Sequence, residues 1–169
     1  MELSEVLMKR RSVRKFTEEP VTGDEIDALM HAAMSGPSAC NKNPWEFYVV
    51  TNPEKLEQLR SAAHYSRIKA PLSIVVVGCL AKALPRDMAA YWVQDCSAAT
   101  ENILLKAVDL GLGAVWCGIH PQKQAEANVA AVLGLTDDRI PLNIIHIGHP
   151  AETPAPGDRY EAQNVILMR

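Results

Sequence analysis

The stretch RDMAAYWVQDCSAATENILLKAVDL, residues 86–110, carries two apolar rows at helical spacing. Met88, Trp92, Cys96, Ala99, Ile103 and Ala107 form one row, and Ala89, Val93, Thr100 and Leu104 form the other. Residues three and four apart lie on one face of a helix, so the stretch predicts a single long helix. A stripe this broad indicates burial on two sides. Because one domain offers such a helix a single core, we expect the second row to pack against a second copy of the chain.

Four strands and four further helices are expected around this long helix. The predicted strands are Glu46–Thr51, Leu72–Cys79, Gly113–Ile119 and Leu142–Ile147, and the helices begin near Leu3, at a Thr22–Glu25 capping box, at Asn52-Pro53 and at Pro121. The second and fourth strands lack alternation, so both of their faces should be covered. The element order predicts an α+β fold, an α/β three-layer sandwich with a mixed central sheet of four to five strands. We expect residues 1–169 to form one domain.

Composition excludes several classes of function. The net charge of −3 gives no general attraction to nucleic acid or to an anionic membrane. The four cysteines are far apart and form no Cys-x-x-Cys pair, so neither a zinc site nor a disulfide framework is expected. The N-terminus lacks the apolar core of a secretory signal, and the most apolar stretch, Leu72–Leu80, is too short to span a bilayer. We therefore expect a cytoplasmic protein without a metal.

Residues 10–16, Arg-Arg-Ser-Val-Arg-Lys-Phe, are a local excess of positive charge in an acidic protein. Guanidinium groups and a hydroxyl within three residues suit a phosphate dianion. A basic helix C-terminus that complements its own dipole explains the segment equally well. The residues alone leave both interpretations open.

Residues 36–45, Gly-Pro-Ser-Ala-Cys-Asn-Lys-Asn-Pro-Trp, have the composition of a stiff polar turn. A simple connection between helix and strand is the favoured interpretation of this segment taken alone. The alternative is that the carboxamides of Asn41 and Asn43 hydrogen-bond the edge of a heteroaromatic ring.

Residues 111–120 contain three glycines, for which we expect different structural roles. Gly111 and Gly113 are expected to cap the long helix. Gly118 lies inside an apolar strand, where a glycine often marks the close approach of a ligand or of backbone. His120 has no obvious carboxylate partner nearby and is expected to be an N-cap or turn residue rather than a catalytic base.

Prolines at 150, 154 and 156 make the region after the last strand extended, and they carry Arg159 far from that strand. A solvated tail is the alternative interpretation of this composition.

Together the four segments resemble the nitroreductase family over essentially the whole chain. The resemblance rests on the order Arg-Arg-Ser-x-Arg-x-Phe (10–16), Pro-Ser-x-x-Asn-x-x-Pro-Trp-x-Phe (37–47), Gly-Leu-Gly-x-x-Trp-x-Gly (111–118) and Ile-Gly-x-Pro-Ala-Glu (147–152). It implies a homodimer with FMN at the subunit interface. The chain contains no Gly-x-Gly-x-x-Gly fingerprint, so FAD and a Rossmann site are not expected.

The resemblance also implies roles for individual residues. The phosphate of FMN would be held by Arg10, Arg11, Ser12 and Arg159, and the pyrimidine end of the ring would be faced by Arg14. The partner subunit would contribute Pro37, Ser38, Asn41 and Asn43. Backbone near N5 of the flavin would come from Cys117, Gly118 and Ile119. Asn43 departs from the commoner glutamine, and the short segment Leu80–Pro85 implies an open pocket.

The implied reaction is a ping-pong electron transfer from NAD(P)H through FMN to a small electrophile such as a nitroaromatic or a quinone. No protein residue is expected to act as a catalytic acid or base. A flavin-binding storage or sensing protein without turnover is the alternative on the same fold. An interaction domain whose arginines are merely solvated is a third possibility.

Overall fold

A four-stranded antiparallel sheet in the order β1-β2-β4-β3 forms the centre of the protein. The strands are β1 (Trp45–Val50), β2 (Leu72–Cys79), β3 (Gly113–Gly118) and β4 (Arg139–Gly148). These and all other positions come from a computed structural model that describes residues 1–169. The four predicted strands are confirmed, and β2 is buried throughout, as its unbroken apolar run indicates.

The expectation of a mixed sheet is wrong, because every strand ladder is antiparallel. The order of helices and strands along the chain does not fix the direction in which neighbouring strands pair. The chain leaves β1 at Val50 and re-enters the sheet beside it, with Val50 opposite Ser73. The connection thus returns to the end of the sheet that it left. The only parallel pairing is a single bridge between Ser12 and Ala114.

Five α-helices cover the two faces of this sheet. They are α1 (Leu3–Lys9), α2 (Gly23–Met34), α3 (Pro53–Ala62), α4 (Tyr91–Asp109) and α5 (Lys123–Leu133). Residues of α2 and α4 share one apolar core with one face of the sheet, and residues of α3 and α5 share a second core with the other face. The three-layer arrangement and the α+β class are therefore confirmed. None of the helices is both long and apolar enough to cross a membrane.

Local signals in the sequence set most helix ends. The Thr22 hydroxyl accepts from the Glu25 N–H while the Glu25 carboxylate accepts from the Thr22 N–H, so the predicted capping box is present. Gly111 adopts a φ of 77° just beyond α4, which confirms its role at that helix end. Gly113 does not cap the helix. It begins β3, where an added Cβ would lie 2.7 Å from the Val13 side chain.

Helix α4 is buried on two sides within a single chain, which corrects the argument from its second apolar row. Thr100 and Leu104 of that row are 0% and 5% exposed. Thr100 faces the sheet, where its hydroxyl accepts from Asn143 of β4, and Leu104 belongs to the core on this face of the sheet. Helix α2 covers a different side of α4, where Asn102 donates to the Ala32 carbonyl oxygen. The breadth of the stripe therefore does not require a second copy.

Candidate functional site

The basic segment 10–16 lies in extended form beside the edge strand β3. Helix α1 ends at Lys9, and the Val13 N–H donates to the Ala114 carbonyl oxygen at 3.0 Å. Further along, the Ala151 N–H donates to the Lys15 carbonyl oxygen at 2.9 Å. Apart from Lys9, these cations are outside the helix. A contribution to the dipole of α1 therefore does not explain them.

The arginines of this segment are held at three different places. Arg10 lies 3.6 Å from the Glu101 carboxylate of α4, measured from Nε to Oε1. Burial raises the pKa of Glu101, and the charge of Arg10 opposes that effect. Arg11 donates from Nε to the Ala155 carbonyl oxygen at 2.9 Å, whereas the Arg14 backbone N–H donates to Glu152 at 2.7 Å.

The proline-rich tail is attached to the segment that carries these arginines. The contact of Arg11 with Ala155 fixes the tail four residues before Arg159. Gly157 also lies against the Arg11 guanidinium. Arg159 itself is exposed. The expectation of a merely solvated tail therefore fails as far as Gly157.

The turn between α2 and β1 is rigid and closed by its own side chains. The Ser38 hydroxyl donates to Asn43 Oδ1 at 2.7 Å and accepts from the Asn43 N–H at 3.0 Å. Asn41 and Asn43 have φ values of 54° and 48°, a region that asparagine tolerates better than most residues. The Asn43 carboxamide is thus engaged within the turn, whereas Asn41 is exposed.

A buried carboxylate ties this turn to α4. The Ala39 N–H donates to Asp95 Oδ1 at 2.8 Å. Arg10 reaches α4 at Glu101, six residues further along the helix, which corresponds to roughly 9 Å of helical rise. Within one chain, no hydrogen bond or ion pair joins the turn to the basic segment.

The far end of β3 is open on its outer edge. The Ala114 carbonyl points away from β4, and by strand alternation the backbone groups of Trp116 and Gly118 point the same way. Gly118 is exposed, and an added Cβ would meet no atom within 4 Å. Close approach of protein backbone therefore does not explain this glycine.

Asn143 lies beside that open space and has an unpaired polar atom. It is the cross-strand partner of Gly118 on β4 and is fully buried. Its Nδ2 donates to Thr100 Oγ1 at 2.9 Å, but its Oδ1 has no hydrogen-bond partner. Such an atom is costly unless a donor from outside the chain meets it.

Leu142 forms a bulge immediately before Asn143. The pairing of β2 with β4 shifts between Val76 and Val77, and the Leu142 carbonyl accepts from both the Ile119 and the His120 N–H at 3.0 Å. Bulges of this kind are enriched beside active sites.

The three residues predicted to present backbone at the end of β3 differ in what they offer. The Ile119 N–H is taken by Leu142, and the Cys117 N–H points towards β4 by strand alternation. Gly118 alone of the three directs its N–H outwards. The Cys117 thiol faces the other side of the sheet, where it contacts the Tyr65 carbonyl oxygen at 3.2 Å. Burial raises the pKa of this thiol to about 11, and the charge of Arg14 opposes that effect.

His120 has a carboxylate partner, contrary to the sequence expectation, and the N-cap of α5 is Gln122. His120 Nδ1 lies 2.7 Å from Glu126 Oε1. The imidazole also packs edge-on against the Trp92 indole, with 4.9 Å between ring centroids. Burial disfavours ionisation of Glu126, but its bonds from Lys123 and His120 outweigh that effect and hold its pKa below the usual range. The sequence signal was a glutamate in the first turn of the helix that follows the histidine.

Comparison with known proteins confirms the resemblance that rested on the order of the sequence motifs. The sequence model of the Nitroreductase family matches residues 7–71 and 68–149. The chain belongs to the nitroreductase family.

Relatives of this nitroreductase match along its whole length. A protein of Methanothermobacter thermautotrophicus, provisionally named an NADH dehydrogenase/NAD(P)H nitroreductase, is 36% identical over 100% of this chain and 88% of its own. A crystal structure from Parabacteroides distasonis with the same provisional name has a TM-score of 0.92 at 35% identity, covering 98% of this chain and 96% of that one. A nitroreductase structure from Desulfovibrio desulfuricans, in complex with FMN, has a TM-score of 0.85 at 26% identity, covering 100% and 98% of the two chains.

Proposed function

We propose that this nitroreductase binds FMN and passes electrons from NAD(P)H to a small electrophile, a nitroaromatic or a quinone, by a ping-pong mechanism. The observation that carries the proposal is the outer edge of β3, where Gly118 leaves room for a planar ring beside an unpaired backbone N–H. The family membership and the FMN complex of the Desulfovibrio desulfuricans relative support the choice of cofactor.

The residues at this edge fit a flavin. The absent side chain of Gly118 leaves open space at the surface, since no other residue lies within 4 Å of the position that a Cβ would take. Asn143, the cross-strand partner of Gly118, carries a buried acceptor, Oδ1, that has no donor in the chain. The basic segment 10–16 lies beside the same strand, where Ser12 pairs with Ala114. It supplies the positive charge that a phosphate group requires.

The proposed roles of the side chains are those that the resemblance to the nitroreductase family implies. Arg10, Arg11 and Ser12 would hold the phosphate, joined by Arg159 from the tail. Arg14 would face the pyrimidine end of the ring, where a guanidinium favours the negative charge of the reduced state. At the other end of the ring, the outward N–H of Gly118 would serve as a donor.

The second half of the site would come from a partner subunit. Pro37, Ser38, Asn41 and Asn43 make no hydrogen bond or ion pair with the basic segment of their own chain, so we propose a homodimer in which they reach the neighbour's flavin. Since Ser38 already engages the Asn43 carboxamide, Asn41 is the freer donor. The tail supports a dimer, because Val165, Ile166, Leu167 and Met168 are 51–94% exposed in the single chain.

Bound FMN would supply a two-electron carrier, which none of the side chains can replace. The side chains bind the cofactor, and the room over Gly118 lets the donor and then the acceptor occupy the same face. A small acceptor suits this edge, because the short segment Leu80–Pro85 adds no helical wall to it.

The purified protein should be yellow, and heat should release FMN rather than FAD. The holoprotein should oxidise NADH or NADPH with p-benzoquinone as acceptor and should elute as a dimer on size-exclusion chromatography. Arg10→Ala should weaken FMN binding by about 30- to 150-fold, corresponding to 2–3 kcal/mol for a lost charge-assisted partner. Arg86→Ala, which removes an exposed arginine outside the site, is the matched control.

A flavin-loaded protein that never oxidises NAD(P)H would instead be a storage or sensing protein. A colourless protein whose FMN affinity does not respond to Arg10→Ala would exclude the proposed site.

A further inference from the structure

His120 and Glu126 form a half-buried dyad at the end of β3 that the proposed cofactor site does not use. The side chains of His120 and Glu126 are 24% and 12% exposed, and Nδ1 lies 2.7 Å from Oε1. Lys123 holds the other oxygen of the same carboxylate, with 3.0 Å between Nζ and Oε2. An ionised carboxylate at Nδ1 requires an N–H there, so the dyad sets the tautomer and the orientation of the ring.

The remaining ring nitrogen of His120 is free. Nε2 makes no hydrogen bond within the chain, and the Trp92 indole of α4 holds the ring edge-on at 4.9 Å between centroids. Trp92 belongs to the core on the α4 side of the sheet. A side chain at Gly118 would point to that same side, because it shares the alternation of Ala114 and Trp116.

His120 is also close to Gly118 along the chain. Two residues separate them, a span of about 6–7 Å in extended backbone. The charged group in contact with the imidazole is Glu126 of α5, which Lys123 also contacts, whereas α4 presents the neutral Trp92 and the Leu142 carbonyl of β4 accepts from the His120 backbone N–H.

We propose that His120 is the catalytic proton donor to the electron acceptor, oriented by Glu126 as a positioning residue. The inference rests on the proposed function, whose second half-reaction consumes one proton in addition to the hydride. Reduction of p-benzoquinone to hydroquinone takes two electrons and two protons. Bound FMN would supply both electrons and one of these protons, in the form of hydride. The N–H at Nε2 of protonated His120 supplies the second proton to the acceptor oxygen, and the neutral imidazole then regains a proton from water.

The other titratable groups considered as proton donors to the acceptor are Cys117, Arg14 and Asp95, and none of them suits this role. The Cys117 thiol faces the opposite side of the sheet and is bonded to Tyr65. Arg14 does not release its proton in proteins. Asp95 is on the α4 side but accepts from the Ala39 N–H and is 6% exposed.

Rapid mixing of the holoenzyme separates the two half-reactions. In His120→Gln, reoxidation of the NADH-reduced enzyme by p-benzoquinone should be about 100-fold slower, within the range for a lost general acid. Reduction by NADH is the internal reference, because hydride transfer to the cofactor does not draw a proton from His120. The wild-type reoxidation rate should fall as pH rises and the imidazole loses its proton, and the His120→Gln rate should lose that pH dependence. Glu126→Gln should give an intermediate loss, and His31→Gln, a change at an exposed histidine of α2, is the matched control.

A second measurement needs no turnover and no variant at His120. Benzoate is isoelectronic with nitrobenzene, and its carboxylate should accept a hydrogen bond from the protonated imidazole. Its affinity for the oxidised holoenzyme, followed by flavin absorbance, should decrease as pH rises. In a protein with labelled side chains, one of the five histidine ring signals should move on benzoate addition. Glu126→Gln assigns that signal, since the same resonance should shift in that variant.

The outcomes separate this inference from the proposed function. Absence of flavin reduction by NADH would contradict the function itself. Normal reduction with unaltered reoxidation in His120→Gln would overturn the role of His120 alone. If His120→Gln does not fold, pH-independent benzoate affinity together with unmoved histidine signals in the wild type would overturn it equally.

Discussion

Acid should destabilise this protein through one buried histidine, His146 of β4. The ring is 1% exposed, with Nε2 2.8 Å from Ser66 Oγ and Nδ1 2.9 Å from Ser73 Oγ. The Ser66 hydroxyl donates to the Leu59 carbonyl oxygen, so it accepts from Nε2–H, and Ser73 donates to Nδ1. The neutral ring is therefore fully paired, and neither hydroxyl compensates an added positive charge.

The magnitude follows from the shift in its titration. Burial lowers the pKa of His146 from 6.5 to about 4. As pH falls below 6.5, the unfolded chain takes up a proton that the folded chain does not, so the free energy of unfolding decreases. The loss is complete near pH 4 and amounts to about 3 kcal/mol, since one pKa unit corresponds to about 1.4 kcal/mol. Above pH 7 His146 contributes no pH dependence.

Urea unfolding followed by circular dichroism between pH 7 and pH 4.5 measures this effect. Protein and cofactor concentrations are kept constant, because ligand and partner binding also shift apparent stability. Carboxylates titrate in the same window, so the useful quantity is the difference between wild type and His146→Gln. The wild type should lose stability more steeply than the variant, and His64→Gln, an exposed control, should follow the wild type. Equal pH dependence in wild type and His146→Gln would refute the reasoning.

Two further substitutions and one deletion test the proposed cofactor site, the protein core and the dimer. Gly118→Val should abolish retention of FMN while leaving the melting temperature of the cofactor-free protein near that of wild type, because the added Cβ meets no chain atom within 4 Å; wild-type flavin loading would contradict this. Gly78→Ala should cost about 1–3 kcal/mol in urea unfolding, since its Cβ would lie 2.7 Å from Trp92 Cζ3, and unchanged stability would show that the indole moves freely. Deletion of residues 161–169 should shift the size-exclusion peak from dimer to monomer, and an unshifted dimer would place the interface elsewhere.

The elements of this fold could be predicted because their signals are local. Thr22 and Glu25 begin α2 by bonds across three residues, and Gly111 ends α4 by its own backbone conformation. Such features depend on a few neighbouring residues, which the sequence lists directly. The pairing direction of the strands does not, because it depends on where a connection re-enters the sheet.

The errors in the predicted covering of α4 and in the environment of His120 have the same origin. The burial of Thr100 depends on β4 lying against α4, where Asn143 donates to its hydroxyl, and no periodicity within α4 reveals which neighbour covers a given row. The dyad was missed because His120 and Glu126 belong to different elements that meet only after the chain turns. Gly118 could be singled out because a glycine inside an apolar strand is visible in the sequence itself, and its contact with a ligand stays a prediction.

The outer edge of β3 has a consequence for how copies of the protein behave towards one another. Beyond Ala114 its outward N–H and C=O groups are free of chain partners, and such an edge can accept a strand from another molecule. A ligand seated there also blocks that addition. Arg14 and Lys15, both exposed beside this edge, place like charges where a second copy would have to approach. Arg14, which is proposed to serve the cofactor, would thus act with Lys15 to keep this edge of the cofactor-free chain from pairing with a strand of another copy, and that protection should weaken as salt screens the charges.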